Sequence, residues 1–246
     1  MSGHSKWSTI KRKKGAADSK RGKLFTKLIK EITIAAKSGG GDPEGNPALR
    51  LAVANAKGAN MPKDNISRAI NKAYEKDSAT YQETTFEGYA NGGVAIFVEC
   101  LTDNNQRTVA NVRSYFNKFG GSLGTNGSLS FVFERKGIFE IPQGNLVEDD
   151  FMMEIIDAGA DDVEHEEDYY TVSTLFENFG KMQKRLEEMK IDVESAKLER
   201  IPLTYTAVSI ETAQKVLRLI EMFEEDDDVQ NVYHNMEMTE EIANAL

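Results

Sequence analysis

The sequence has very little cysteine: Cys100 is the only one among its 246 residues. A single cysteine excludes an intramolecular disulfide and a zinc site built from cysteines. Cys100 lies in the apolar run VAIFVECL, which is typical of a buried strand, where a small thiol packs like a hydrophobic side chain. A reducing compartment suits such a chain, so we expect a cytoplasmic protein.

Long hydrophobic runs are also missing. No apolar stretch approaches the roughly 20 residues that span a bilayer, so we expect no membrane partner. The first 23 residues contain only Met1, Trp7 and Ile10 as large apolar residues, and we expect no signal-peptide core there. A basic start is also typical of mitochondrial transit peptides, but those favour arginine, and here the basic pattern continues into an amphipathic helix.

Patterns that carry catalysis are scarce as well. The three histidines, His4, His165 and His234, lie in different segments. Acidic residues surround His165, but neighbouring side chains on a strand point to opposite faces, which favours a solvated acidic rim over a metal site. No spacing pairs a nucleophile with a base. We therefore predict a protein that is not an enzyme, with no catalytic residue, metal, cofactor or small-molecule substrate.

Acidic residues are nearly absent from the beginning of a chain that is acidic as a whole. The formal net charge is −10, yet residues 5–30 contain eight Lys and two Arg against one acid, Asp18. Residues 1–76 have a net charge of +11, and the remaining 170 residues have −21. A charge separation this strong indicates that the N-terminal end meets an anionic partner.

Helical periodicity organises the N-terminal segment. One apolar stripe is formed at helical spacing by Leu24, Leu28, Ile32 and Ala35. A second face carries, at similar spacing, Lys23, Lys27, Lys30 and Lys37. Prolines at 47 and 62 predict the first turns of two further helices. The segment KSGGGDPEGNP between the first two helices is either a plain connector or a loop that reaches into an RNA cleft.

Strand patterns alternate with helical ones after Tyr81. From Gly137 to Leu203 the order is β-α-β-β-α-β, a ferredoxin-like unit. The flanking segments complete a second sandwich around it. The predicted fold class is α+β, with an N-terminal three-helix domain followed by two ferredoxin-like α/β sandwich domains, one inserted into the other. The predicted domain limits are 1–78 for the basic helical domain, 79–134 plus 204–246 for the discontinuous α/β domain, and 135–203 for the inserted domain.

Five segments carry a resemblance that spans essentially the whole chain: GHSKWSTIKRKKGAADSKRGKLFTKLIKEI, GGGDPEGNPALRLAVANAKGANMPKDNISRAI, EGYANGGVAIFVECLTDN, RTVANVR and GGSLGTNGSLSFVFERKG. They resemble the YebC/PmpR family. This resemblance implies a helical N-terminal domain followed by two α/β domains. It also implies one of two functions. One is transcriptional regulation through DNA binding; the other is action on the ribosome near the peptidyl-transferase centre, where relatives that include mitochondrial translational activators help synthesis through proline-rich stretches.

The basic N-terminal arm and the first helix are the predicted nucleic-acid-binding site. Their cations can neutralise phosphates and release counterions, which gives affinity without sequence preference. The alternative is a solvated lysine-rich surface. For Trp7 the alternatives are stacking on an unpaired base and anchoring the arm on the helices. The predicted nucleic-acid-binding residues are Lys6, Trp7, Lys11, Arg12, Lys13, Lys14, Lys20, Arg21, Lys23, Lys27 and Lys30.

The kind of cation bears on the kind of nucleic acid. Lysine is a point charge that suits phosphates, whereas base reading favours Arg, Asn and Gln. We therefore expect a non-enzymatic regulator of gene expression that binds structured RNA, namely rRNA on the ribosome. The alternative is a DNA-binding transcriptional regulator that recognises promoter DNA as a two-fold dimer. A third interpretation is a protein-interaction module whose arm binds an acidic protein. The oligomeric state is left open.

Overall fold

The computed structural model of the chain describes residues 18–75, 80–144, 146–166 and 168–245. It divides into two compact units. The first contains the described parts of 1–27, 77–134 and 201–246, and the second those of 28–76 and 135–200. Each unit has one four-stranded sheet. Across these described ranges, no helix has the length and apolar character that crossing a bilayer requires.

Helices and strands alternate along most of the described chain. The helices are α1 (Asp18–Gly39), α2 (Pro47–Gly58), α3 (Lys63–Lys72), α4 (Asn105–Lys118), α5 (Glu148–Asp157), α6 (Phe179–Glu188), α7 (Ile210–Glu225) and α8 (Glu240–Asn244). The strands are β1 (Gln82–Tyr89), β2 (Ala95–Thr102), β3 (Ser122–Leu123), β4 (Phe133–Pro142), β5 (Ala160–Glu166), β6 (Tyr169–Leu175), β7 (Ser195–Pro202) and β8 (Val229–His234). Short 3-10 turns lie at Asn91–Gly93 and Phe176–Asn178.

The apolar stripe of α1 is buried along most of its predicted length. Leu28, Ile32 and Ala35 are each less than a tenth exposed, whereas Leu24 near the start of the helix is 43% exposed. The prediction is therefore confirmed for the last three positions and wrong for Leu24. The stripe begins one turn later than the sequence pattern suggests.

Asn46 ties the connector between α1 and α2 to both helices. Its side-chain nitrogen donates to the carbonyl oxygens of Ala35 at 2.7 Å and Gly40 at 2.8 Å. Its side-chain oxygen accepts from the amide of Leu49 at 3.1 Å, which caps the first turn of α2. Asn46 is buried, so all three hydrogen bonds replace contacts with water. The segment is a firmly bound connector.

The first unit is a sheet of strand order β3-β1-β2-β8, with α4 and α7 packed on one face. β2 pairs antiparallel with both β1 and β8. Its residues Ile96 and Val98 pack with Phe116 of α4 and Phe223 of α7, whose rings meet edge-on at 5.1 Å between centroids. The helices cover that face, and the alternate residues of β2, including Phe97, contact a smaller cluster on the opposite face.

The second unit has the strand order β5-β6-β4-β7. The chain runs β4-α5-β5-β6-α6-β7, and β6 pairs antiparallel with both β4 and β5. This is the β-α-β-β-α-β order expected for a ferredoxin-like unit. Its core is formed by Phe139, Ile141, Phe151, Ile155, Tyr170, Val172, Met182 and Leu186. The predicted fold class, N-terminal helices followed by two α/β sandwiches, is confirmed, while the limits of the three domains stay a prediction.

Helix α2 lies against β7, an edge strand of the second sheet. The side chain of Asn55 forms two hydrogen bonds with the backbone of Ala196: its oxygen accepts from the amide at 2.9 Å and its nitrogen donates to the carbonyl at 2.9 Å. One amide side chain thus satisfies an edge position that would otherwise be open. Gly58 permits this approach, because a Cβ there would lie 1.8 Å from the carbonyl oxygen of Glu194.

Candidate nucleic-acid interface

The predicted interface lies only partly within the described residues. Lys6, Trp7, Lys11, Arg12, Lys13 and Lys14 fall outside them. Lys20 lies in the first turn of α1, where the backbone alone is described. Arg21 is exposed at the surface of the same helix. Of the predicted residues, the structure therefore gives side-chain positions for Arg21, Lys23, Lys27 and Lys30.

Lys23 and Lys27 are half-buried and bind backbone carbonyls of the first unit. The ammonium group of Lys23 donates to the carbonyl oxygen of Glu225 at 3.3 Å, and that of Lys27 donates to the carbonyl oxygen of Gln230 at 3.2 Å. Glu225 is the last residue of α7, where carbonyl groups have no partner within the helix. Both lysines thus fix the start of α1, a role that the sequence analysis missed. The Lys23 ammonium has three donors, so hydrogens remain on it for a phosphate.

Lys30 is buried, with 8% of its surface exposed. The predicted lysine face of α1 is therefore not a uniform solvent-exposed surface. Its cations become less accessible from Arg21 through Lys27 to Lys30. The helical spacing was read correctly, but spacing alone does not tell which face of a helix another element covers.

Further exposed cations lie on the other N-terminal helices. α3 carries Lys63, Arg68 and Lys72 on its surface, and the last turn of α2 carries exposed Lys57. The sequence analysis did not select these residues. A usable signal was present, because Arg68 and Lys72 are one turn apart with no acidic residue between them.

The most extensive carboxylate network in the first unit is centred on Asp228. One oxygen of this buried carboxylate accepts from the Arg107 guanidinium at 2.7 Å and from the hydroxyls of Thr102 at 3.1 Å and Thr108 at 3.0 Å. The hydrogen bonds that Arg107 donates to Asp228 and Asp103 raise the pKa of Arg107 and keep it charged. The network holds the end of β2 and the start of α4 to the turn before β8. The Arg107 guanidinium and two threonine hydroxyls meet at this one oxygen, so the carboxylate has a structural role.

The histidines lie apart from each other. His165 Nδ1 is 3.9 Å from a carboxylate oxygen of Glu148, and its ring stacks on Tyr170 with centroids 4.4 Å apart. His234 is buried in β8 of the first unit, and His4 lies outside the described residues. In the part of the chain that the structure describes, no group of three or more His, Cys, Asp or Glu side chains can hold a metal ion.

Acidic residues form much of the exposed surface of the second unit. Glu148, Asp149 and Asp150 lie in the first turn of α5, and Asp161 and Asp162 lie on the edge strand β5. Acids at the start of a helix stabilise its dipole. The same charges repel phosphates, so this surface does not suit a nucleic acid.

Comparison with known proteins identifies the lineage of this fold. Residues 5–76 match the model of the TACO1/YebC protein N-terminal domain, and residues 81–236 match that of the TACO1/YebC second and third domain. The chain belongs to the TACO1/YebC family. The predicted resemblance to YebC is thereby confirmed, and the basic arm with α1 to α3 falls within the N-terminal domain of the TACO1/YebC family.

Relatives match the chain over its full length. It is 53% identical over 248 residues to a protein of Chlorobaculum parvum, covering 100% of this chain and 99% of that one. It is 51% identical to a protein of Rubrobacter xylanophilus, covering 98% of both chains. Each of these TACO1/YebC relatives is named "Probable transcriptional regulatory protein".

A solved structure has the same fold. The crystal structure of a conserved hypothetical protein from Aquifex aeolicus superposes with a TM-score of 0.81 at 44% sequence identity. The match covers 92% of this chain and 93% of that one. The two chains thus share one fold over more than nine tenths of their length.

Proposed function

We propose that this protein is a non-enzymatic, nucleic-acid-binding regulator of gene expression that acts on the ribosome. Its basic N-terminal arm binds rRNA phosphates, and its α/β units brace the bound protein. Bound there, it restrains the tRNA end or the nascent chain and aids synthesis through proline-rich stretches, the activity that the family resemblance implies. The proposal includes a cytoplasmic location.

The separation of charge along the chain carries this proposal. A segment with net charge +11 precedes 170 residues with net charge −21. On a polyanionic partner only the first segment can face inward. Arg21 is exposed at the start of α1, and Lys23, which makes one hydrogen bond to a carbonyl, keeps hydrogens that a phosphate can accept. Lys30 would have to be uncovered first, so we leave it out of the proposed contact.

The chemistry of the cations supports RNA phosphates as the target. Lysines outnumber arginines thirteen to four in residues 1–76. Lysine binds phosphates as a point charge, whereas a promoter-reading helix presents planar side chains to base edges. Highly structured RNA offers dense phosphate without the need for a sequence code.

In-cell ultraviolet crosslinking, followed by sequencing of the attached nucleic acid, tests the proposal. The wild-type protein is compared with the arm variant K11E/R12E/K13E/K14E. We expect wild-type reads that cluster in large-subunit rRNA and are lost in the variant. Association that survives the charge reversal would show that the arm is not the binding surface.

A DNA-binding transcriptional regulator is the second candidate, because the relatives carry the name "Probable transcriptional regulatory protein". It requires discrete promoter fragments in the crosslinking reads. It also requires tighter binding to a promoter fragment than to a scrambled duplex at physiological salt. Equal affinity for the two would exclude sequence-specific promoter recognition.

A protein-interaction module is the remaining alternative. In that case the arm binds an acidic protein instead of phosphates. Association that survives nuclease treatment but is lost in the arm variant would support it over both nucleic-acid functions.

A further inference from the structure

We infer that the exposed side of α3 is a second RNA-contacting surface, separate from the arm and from α1. Its phosphate-binding residues are Lys63, Arg68 and Lys72, here termed the α3 cation face. The inference rests on the proposed function, since it assigns a further surface to the same RNA ligand. None of the three is among the binding residues predicted from the sequence, and the family comparison assigns none of them.

The three cations of this face are exposed to solvent. All three side chains are exposed, while Ile66, Ala69 and Ala73 on the other side of α3 are buried. No ion pair of Lys63, Arg68 or Lys72 occurs in the described ranges of the chain. Elsewhere in those ranges the exposed cations often do pair, as Lys184 does with Glu188 and Lys215 with Glu211.

Helix geometry makes Arg68 and Lys72 neighbours on the exposed half of α3 and places Lys63 at the opposite edge of that half, about 180° around the helix from Lys72. Arg68 and Lys72 are four residues apart, so they are neighbours on the helix surface with about 5–6 Å between Cβ atoms. Lys63 lies nine residues before Lys72, about 13 Å along the helix axis. Exposed Ser67, Asn71 and Asp64 lie between them; the first two can bind phosphate and sugar oxygens, whereas the Asp64 carboxylate reduces the positive charge of the face. Arg68 and Lys72 can therefore contact neighbouring phosphates, and Lys63 a more distant one.

Two of these cations lie where they do not help the helix itself. Lys63 is in the first turn of α3, where the helix dipole favours acids. Arg68 and Lys72 are like charges at i,i+4 spacing, which disfavours an isolated helix. Lys72 in the last turn does complement the dipole. An anionic ligand relieves the first two conflicts, which a purely solvated surface does not.

An exposed aromatic ring adjoins the end of the face. Tyr74 is 60% exposed, and its hydroxyl donates to the carbonyl oxygen of Ala36 at 3.0 Å. Gly41 allows this position, because a Cβ there would lie 3.1 Å from the Tyr74 hydroxyl oxygen. A ring held at one end and open to solvent can stack on an unpaired base. The surface therefore fits RNA with an unpaired nucleotide beside the bound phosphates, such as a loop or a bulge.

Salt-dependent binding of a labelled RNA hairpin with an unpaired loop tests the inference. The full chain is compared with K63Q/R68Q/K72Q and with a control that removes three exposed cations elsewhere, R113Q/K197Q/R218Q. Each phosphate contact on a single strand contributes about 0.7 to the slope of log K against log salt. We therefore expect the α3 variant to lose about 2 from the slope, and the control variant to keep the wild-type slope.

Tyr74→Ala tests the aromatic part of the surface separately. We expect about a tenfold loss of affinity for the hairpin with its unpaired loop, and no change for a fully paired RNA duplex of the same length. Equal losses on both probes would refute base stacking by Tyr74. An unchanged melting temperature shows that each variant is folded.

The possible outcomes separate this inference from the proposed function. If the wild-type protein shows no salt-dependent RNA binding, the proposed function fails. If the wild type binds, the arm variant does not, and the α3 variant keeps the wild-type slope, then the α3 cation face is wrong and the proposed function stands. Equal losses in the α3 variant and in the control would also overturn the inference. Should the triple variant fold poorly, Arg68→Gln alone is expected to lower the slope by about 0.7.

Discussion

Lysines of one helix differ in function because their surroundings differ. Arg21 is open to solvent, Lys23 binds the last carbonyl of α7, and Lys30 is buried. The sequence places all three in one basic helical segment, and from that pattern they look equivalent. Assigning a phosphate contact from sequence therefore requires knowledge of which face of α1 is covered, and that depends on residues about 200 positions away.

Polar residues between α4 and the turn before β8 show how far side-chain networks extend. Asp226 accepts a hydrogen bond from the Tyr115 hydroxyl at 2.9 Å and one from the side-chain nitrogen of Asn111 at 3.1 Å. Burial, and then the hydrogen bond to Asp226, raise the pKa of Tyr115 to about 12. Tyr115 therefore acts as a neutral donor that fastens α4 to the end of α7.

Tyr115 makes stability sensitive to strongly alkaline pH. The pKa of Tyr115 is raised in the folded state from 10 to about 12, so its contribution is complete below pH 10 and is lost as the pH rises towards 12. We expect the free energy of unfolding of the wild type to fall across this range relative to that of Tyr115→Phe. Urea unfolding at a series of pH values measures this difference. Asp226→Asn should bring the phenolate transition, followed by ultraviolet absorbance, to lower pH. A difference between wild type and Tyr115→Phe that stays constant through this range would contradict the assignment.

Among the elements, β1 is the one that the sequence did not reveal. Only Phe86, Glu87 and Gly88 are buried in this strand, so the alternation that marks a half-buried strand is weak. Its place is set by pairing along its full length with β2. Gly88 allows β3 and α4 to approach, because a Cβ there would lie 2.7 Å from the Phe116 ring. Glycine has no side chain, and this lets the neighbouring elements approach β1. The same missing side chain weakens the alternating pattern by which a strand is recognised in the sequence.

Other elements were predictable because their periodicity is strong and local. The run VAIFVECL predicts a buried strand and forms β2, and on α4 the buried Val112 and Phe116 lie at helical spacing. The α3 cations were not found, although their spacing was visible. Their importance depends on exposure and on the absence of acidic partners in the described chain, and neither is a property of local sequence.

The contact between α2 and β7 can be tested by adding a single methyl group. In Gly58→Ala the new Cβ meets the backbone carbonyl of Glu194 at 1.8 Å, so α2 must move away from β7. We expect a loss of about 1–3 kcal/mol in the free energy of unfolding, despite the better helix propensity of alanine. Urea unfolding followed by circular dichroism measures this loss.

Gly180→Ala is the matched control for this change. Gly180 lies in α6 of the same unit, and a Cβ there has no atom within 4 Å. We expect its stability to stay within about 0.5 kcal/mol of the wild type or to increase. Equal losses at Gly58 and Gly180 would show that the loss of stability comes from placing alanine near a helix end, and not from the contact with β7.

At the scale of the whole molecule, the insertion of one sandwich into another was predictable from order alone. A complete β-α-β-β-α-β unit leaves its flanking strands to pair with each other, and β2 does pair with β8 across more than a hundred residues. The association of α2 with β7 in one compact unit was not predictable. It depends on the contacts of Asn55 with Ala196 and of Gly58 with Glu194. No sequence pattern links either pair of residues.

The acidic majority of the chain should weaken RNA binding at a distance. We expect E177Q/D192N/E221Q/E237Q, four exposed acids without partners in the described structure, to bind the RNA hairpin about fourfold more tightly at low salt. Each like-charge pair about 20 Å apart contributes roughly 0.2 kcal/mol in water.

The control E177D/D192E/E221D/E237D keeps the charge and should bind like the wild type. Since the screening length falls from about 30 Å at 0.01 M to about 3 Å at 1 M salt, the gain should vanish at high salt. A gain that persists at 1 M salt would mean a new local contact, and the charge separation along the chain would then not orient the protein on RNA.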